Sequence, residues 1–356
     1  MNEAKIFSYG SIPRKGDRAK AYLYFKEWVG RFFEFDGARK EDDVVRVVLL
    51  ASLNNGYVEG SAKLLDLCGQ TVRNHLRYQD PSSFLQVNHE LVDRMKRLGA
   101  LSKPLTLAID WHDEMYYGDP EAEGVAGTRR RRGSHYAYRF ATASVLLDGE
   151  RLTLAATPIV NEPVIDHVKK LLTQVSELGV KVKLLLFDRG YYSVDLIRYL
   201  NSLEAVYVIQ LPSRIKGLKG GEDRMYTTKP IREGRGEQVS FRLVTLREAD
   251  RLFLFATNTS LKPEEIREQF RKRWGIETSY RVIRKFHAKT TSKLYRLRIL
   301  YFYLAVVLYN LWVLLNYKYE TGIPTYVLKL RILLSLVLSF LPDMEAGNEQ
   351  DKQDTL

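Results

Sequence analysis

At Leu105 the hydrophobic spacing of this chain switches from a helical period to a period of two, and that switch bounds the folds open to it. Upstream, apolar residues recur at helical spacing over Asp42–Ser52 and Phe84–Leu98, and over a Tyr-, Phe- and Trp-rich stretch, Ala19–Phe33. Downstream, Leu105–Trp111 (LTLAIDW), Tyr136–Leu147 and Leu152–Ile159 predict three strands, the last two joined at Asp148-Gly149-Glu150. A helix is expected at Pro163–Leu178, a strand at Lys181–Phe187 (KVKLLLF), a helix at Val194–Ser202 and a strand at Val206–Gln210. Strands in series followed by alternating helix and strand predict an α/β fold with a mixed sheet and flanking helices.

The remaining residues arrange themselves around that sheet. Residues 1–100 are expected to form a helical region, and 101–212 plus 262–341 the core. The Gly-rich, charged segment 213–261, with period-two stretches at Gln238–Thr245 and Leu252–Ala256, predicts a small β insertion. Pro263–Lys285 predicts one helix, and the acidic end, 342–356, a disordered tail. Ile299–Leu315 carries no charge, and Tyr326–Leu341 is interrupted by Lys329 and Arg331. Both fall short of the roughly 20 apolar residues of a spanning helix. With Asn310 in the middle of the first, they are expected as core helices, not membrane spans.

Lys and Arg number 55 against 43 Asp and Glu, a net charge of +12, so the expected partner is a polyanion, nucleic acid above all. The single cysteine, Cys68, excludes an internal disulfide framework and a multi-Cys zinc site. Met1–Lys20 is polar, with no apolar signal region, and the expected location is the cytoplasm.

Four constellations carry chemistry. Within 61–77, Ala62–Leu76 (AKLLDLCGQTVRNHL) fits two short helices across a three-residue turn and resembles the helix-turn-helix of DNA-binding proteins. Asp66 takes the place usual for Gly and Cys68 that of a Ser or Thr cap, while Gln70, Arg73, Asn74 and Arg77 offer polar groups to bases or phosphates. An ordinary helical hairpin with a solvated face has the same pattern. Asp110 closes an apolar strand, where a carboxylate is costly to bury without a compensating cation, although a turn cap fits equally well. Asp188, in Phe187-Asp188-Arg189-Gly190-Tyr191, repeats that placement after a fully apolar strand. If the two strands are neighbours, the two carboxylates face one another and favour Mg²⁺ or Mn²⁺ over zinc.

The fourth lies on the helix around Glu277, where Phe270, Arg273, Glu277 and Arg284 share one stripe. A carboxylate between two guanidiniums suits a metal-bound phosphodiester, with Arg273 and Arg284 on phosphate; a face of intrahelical ion pairs is the plainer reading. Arg129-Arg130-Arg131-Arg132 lies between the first two strands, as an exposed loop that either tracks a DNA backbone or binds polyanions without specificity. His112, next but one to Asp110, has no partner at ligand spacing and is expected to act through its neighbours at most.

Taken together, Asp110, Asp188 and Glu277 resemble the acidic triad of DDE transposases from prokaryotic insertion sequences. The subgroup is the one whose third acid lies in Tyr-x2-Arg-x3-Glu-x6-Lys, here Phe270-x2-Arg273-x3-Glu277-x6-Arg284, with Phe for Tyr and Arg for Lys. Asp188-Arg189-Gly190-Tyr191 resembles the block around the family's second Asp, and Arg273-Trp274-Gly275-Ile276-Glu277 that around its Glu. The resemblance implies a ribonuclease-H-like core, a catalytic and metal-binding triad of Asp110, Asp188 and Glu277, and two Mg²⁺ or Mn²⁺ ions. It also implies DNA contacts at Phe270, Trp274, Arg189, Arg273 and Arg284. The implied activity is cut-and-paste transposition, in which transposon-end DNA is cleaved and its 3′-OH joined to target DNA by a homodimer or higher oligomer. A nuclease of the same fold without strand transfer, and a transposase-derived DNA-binding protein without catalysis, are the alternatives.

Overall fold

The computed structural model describes Glu27 and residues 41–147, 151–212, 223–228, 238–249, 251–273, 275–319 and 324–338. The expected helix at Ala19–Phe33, the turn Asp148–Glu150 and the tail 342–356 lie outside the described residues, Glu27 apart. By packing, the chain forms two compact units, 88–281 and 1–87 with 282–356.

The unit 88–281 is built on a sheet with nine strands among the described residues. Strands β1 (Leu105–Tyr116), β3 (Ser134–Leu146) and β4 (Arg151–Ile159) run antiparallel in series, and β2 (Val125–Arg131) pairs with the start of β3. Helix α5 (Val164–Glu177) returns the chain to β5 (Val182–Phe187), which lies parallel to β1, and α6 (Val194–Ser202) leads to β6 (Tyr207–Gln210), parallel to β5. The order β4–β3–β1–β5–β6, three antiparallel strands and then two parallel ones, is the ribonuclease-H-like sheet. Strands β7 (Arg224–Thr227), β8 (Ser240–Glu248) and β9 (Arg251–Thr257), from the segment expected as an insertion, extend this same sheet through β9 against β6.

The apolar runs explain the order. Leu184–Phe187 and Tyr207–Ile209 are buried on both faces, as parallel strands under helices must be. Ser193 caps α6, its hydroxyl accepting from the Leu196 amide. Two expectations change. Val125–Arg131 is a strand rather than a loop, turned into β3 by Arg132 and Gly133 at φ 49° and 88°, the left-handed pair of a two-residue hairpin. The helix expected over 263–285 is described as α7 (Pro263–Arg273) and α8 (Gly275–Ile283), on either side of residue 274, which lies outside the described residues; it ends at Ile283, and Arg284 opens a 3-10 turn.

The other unit is helical. It holds helices α1 (Glu41–Asn54), α2 (Val58–Lys63), α3 (Gly69–Tyr78) and the first residues of α4 (Ser82–Arg97), and α9 (Tyr295–Tyr319) and α10 (Thr325–Leu338) close the described residues. Asp66 adopts φ 52°, the left-handed turn expected of it, and Cys68 makes no side-chain cap. A Cβ at Gly69 would lie 2.7 Å from the Glu59 Cα, so only glycine lets α2 and α3 approach this closely. Helix α9, at 25 residues, is longer than its uncharged stretch; it is long and apolar enough to cross a membrane, yet most of it is buried inside the protein. Asn55, at φ 51°, donates to the carbonyls of Arg284 and His287 and accepts from Lys329, tying the turn at 284–287 to α1 and α10.

Candidate active site

Asp110 does not close its strand. Strand β1 runs on to Tyr116 against β3; what ends beside Asp110 is the parallel pairing with β5, at Ile109 opposite Phe187. Asp188 follows Phe187 directly and opens the short 3-10 turn Arg189–Tyr191. The two carboxylates therefore sit at the same level on neighbouring strands, where β5 stops and β1 continues alone.

Between them lies Arg273, on α7. Its Nη1 is 2.8 Å from Oδ2 of Asp110 and its Nη2 is 3.5 Å from Oδ1 of Asp188. The guanidinium is almost fully buried, its side chain 4% exposed against 14% for Asp110 and 35% for Asp188. The other oxygen of Asp110, Oδ1, accepts from the Trp111 amide at 2.8 Å. Burial pushes the Asp110 carboxyl up to about 6; Arg273 pulls against that shift and Asp188 adds to it.

Tyr280 on α8 holds this part of β1 from above. Its hydroxyl donates to the main-chain carbonyl of Asp110 at 2.7 Å, and its single proton being committed there, it accepts from Thr142 of β3 at 2.8 Å. The ring of His112 stacks on that of Tyr280 at 5.2 Å. On the opposite face of the sheet, Trp111 packs against Tyr191 at 4.5 Å and His167 at 6.2 Å, and a Cβ at Gly190 would run into the Trp111 ring. Two residues beyond Trp111 on β1, Asp113 takes a bidentate pair from Arg139 and a hydrogen bond from Thr128.

The other expected site residues divide. Phe270 is a core residue, 1% exposed, packed at a tilt against Phe255 with the Arg273 guanidinium 5.0 Å from its ring centroid, so it supports Arg273 and is closed to DNA. Arg273 is likewise buried against acids, where an exposed phosphate contact was expected. Trp274 and the side chain of Glu277 lie outside what is described, and Glu277 is placed only as a residue of α8. Arg189 and Arg129 to Arg132 are exposed, and Arg284 is exposed in a 3-10 turn of the other unit. On α3, Gln70, Asn74 and Arg77 are exposed, whereas Arg73 is held by Glu59 at 2.6 Å.

Among the described residues no three carboxylates, imidazoles or thiols gather as a metal site. Asp110 and Asp188 do converge, on one cation, and their hard oxygens fit Mg²⁺ or Mn²⁺. Tyr280 and the Asp113–Arg139 pair were not foreseen; a Tyr three residues after Glu277, one turn along the same helix, was the available signal for the first.

The family model described as the transposase DDE domain matches residues 102–311. No curated protein matches the chain. Among solved structures, it is similar to the endonuclease V of Bacillus subtilis, at 14% identity over 56% of this chain and 84% of that one, with a TM-score of 0.27. It is also similar to the Mos1 transposase in a paired-end complex with the left transposon end, at 15% identity over 59% of this chain and 62% of that one, with a TM-score of 0.19. The match thus spans less than two thirds of the Mos1 chain.

Proposed function

The chain belongs to the transposase DDE domain family, and on that premise we propose that it is a divalent-metal-dependent transposase that cleaves transposon-end DNA and joins the freed 3′-OH to target DNA. The observation that carries this reading is the convergence of Asp110 and Asp188 on a single cation at the point where β5 ends. With Glu277 of α8, these two carboxylates would hold the ions. When bound, such ions lower the pKa of an attacking water and stabilise the leaving oxygen.

The chain's own groups do the positioning. The Trp111 amide holds one oxygen of Asp110, leaving the other for a cation, and Tyr280 anchors the carbonyl of the same residue to the helix that bears Glu277. In cleavage, a water oxygen bonds to phosphorus as the P–O3′ bond breaks and the 3′ oxygen takes up a proton. In strand transfer, that 3′-OH attacks a target phosphodiester, displacing its 3′ oxygen in line. No covalent enzyme intermediate is needed.

DNA is held elsewhere. Arg129 to Arg132, exposed along β2 and its hairpin, and Arg189 beside Asp188 offer guanidiniums to the backbone, with Arg284 contributing from its turn. The helical region 1–100 reads the ends through the exposed Gln70, Asn74 and Arg77 of α3. The protein works on nucleoid DNA in the cytoplasm, as a dimer or higher assembly that pairs two ends.

The test is nicking of a labelled duplex carrying the ends of the element that encodes the chain, in Mg²⁺, Mn²⁺, Ca²⁺ and EDTA, beside Glu277→Gln. Nicking in Mg²⁺ or Mn²⁺ that vanishes with EDTA and with Glu277→Gln is expected, followed by joining of a 3′-OH end to a target plasmid. Nicking that survives EDTA would overturn the metal-carboxylate site; nicking without joining would leave a nuclease.

A further inference from the structure

Resting on the metal-site reading above, we propose that Arg273 is the resident counter-ion of the site, which must leave Asp110 and Asp188 before a divalent ion occupies them, and that DNA phosphate draws it away. Metal loading and DNA binding are thereby coupled.

Two carboxylates side by side on neighbouring strands need a cation between them, and the one in place is a guanidinium whose side chain is 4% exposed. Asp110 has two oxygens, and both are engaged: Oδ1 by the Trp111 amide and Oδ2 by Arg273. An ion that binds Oδ2 therefore competes with Arg273, because a guanidinium and a divalent ion at one carboxylate repel one another. The seat is also an incomplete one. Arg273 Nε is buried without a hydrogen-bond partner among the described residues, and the ring of Phe270 contributes no acceptor oxygen. A phosphodiester, able to take a bidentate pair from the same fork, is the better partner once a divalent ion neutralises the acids.

Linkage makes the consequence reciprocal: if DNA stabilises the displaced guanidinium, DNA tightens metal binding and metal tightens DNA binding by the same factor. The metal-free enzyme without DNA then keeps its carboxylates neutralised and its site shut to metal.

The experiment measures Mn²⁺ binding by calorimetry to the full-length wild type and to Arg273→Gln, each with and without an end duplex already cut at its 3′ end. Without DNA, Arg273→Gln is expected to bind Mn²⁺ about tenfold more tightly than wild type; the duplex should raise wild-type affinity by about tenfold and leave the variant nearly unchanged. Equal affinities, with equal effects of DNA, would overturn the proposal while leaving the metal site standing. No Mn²⁺ binding to either protein, with or without DNA, would overturn the metal-site reading and this proposal with it. A measurement on the wild type alone covers the case in which Arg273→Gln does not fold. Saturating Mn²⁺ should speed modification of Arg273 by phenylglyoxal, read by mass spectrometry, and an unchanged rate would overturn the displacement.

Discussion

The hydroxyl of Tyr280 donates to the main-chain carbonyl of Asp110 at 2.7 Å, so the helix that carries Glu277 is pinned to the strand that carries Asp110. Both partners are backbone or buried, and Thr142 completes the chain from β3. Tyr280→Phe keeps the ring against His112 and removes only these bonds. It is expected to cost about 1–2 kcal/mol of stability. Loosening of the two acids relative to one another should slow nicking on the order of 10–100-fold. Melting temperature and single-turnover nicking, taken together, check this; a full-rate Tyr280→Phe would remove the residue from the positioning of the site.

Asp110→Asn, Asp188→Asn and Glu277→Gln should each lower cleavage by on the order of 10²–10³ or more, since each removes charge from the place where the reaction needs it. In metal-free buffer, end binding, carried by exposed cations elsewhere, should stay within a fewfold of wild type. Gel-shift and nicking assays on the same preparations separate the two, and cleavage surviving in any one variant would take that residue out of the triad.

Changing Arg129 and Arg130 to Gln should weaken DNA binding without unfolding the protein, because both side chains are exposed. Removing each guanidinium that neutralises a phosphate should reduce the slope of log affinity against log salt by about 0.9. Affinity measured across a salt series reads that slope directly; an unchanged slope would show that β2 does not lie along the backbone.

His167 resists protonation in the folded state. It is 2% exposed, packed between Trp111 and Tyr191, and burial lowers its pKa to about 4, so the folded state favours the neutral ring. The contribution of this neutrality is fully present above the unfolded value of about 6.5 and is lost as pH falls from there through about 4. Wild type should lose up to roughly 3 kcal/mol from this group over that window. In His167→Leu, which cannot charge, the loss of stability over the same window should be smaller by that amount. Denaturant unfolding at pH 7, 6, 5 and 4 tests it, and parallel curves for the two proteins would exclude His167 as the source.

Much of the fold was legible in the pattern of apolar residues. Leu105–Trp111, Lys181–Phe187, Val194–Ser202 and Val206–Gln210 mark their elements to within a few residues, because burial on one or both faces leaves a period of 2 or 3.6 in the chain itself. Asp66 announced its left-handed turn for a similarly local reason. Strand β2 was not legible, since its pattern ends in a run of arginines on an edge whose strand pairing is with β3. The end of α8 at Ile283 was hidden as well: helical spacing runs on to Lys285, while Arg284–Phe286 forms a 3-10 turn.

The same division runs through the site. That Asp110 and Asp188 could share a cation was legible in the sequence, because each follows an apolar run where a lone carboxylate is costly to bury, although a turn cap fitted Asp110 equally well. Which cation holds them here was decided by the tertiary structure. Arg273 lies 163 residues from Asp110 along the chain, and only the order of β1 beside β5, with Arg273 of α7 set against both, brings its guanidinium to 2.8 Å. The sequence determines which side chains can bear charge; long-range packing determines which of them are taken out of water together, and so which charges must neutralise one another.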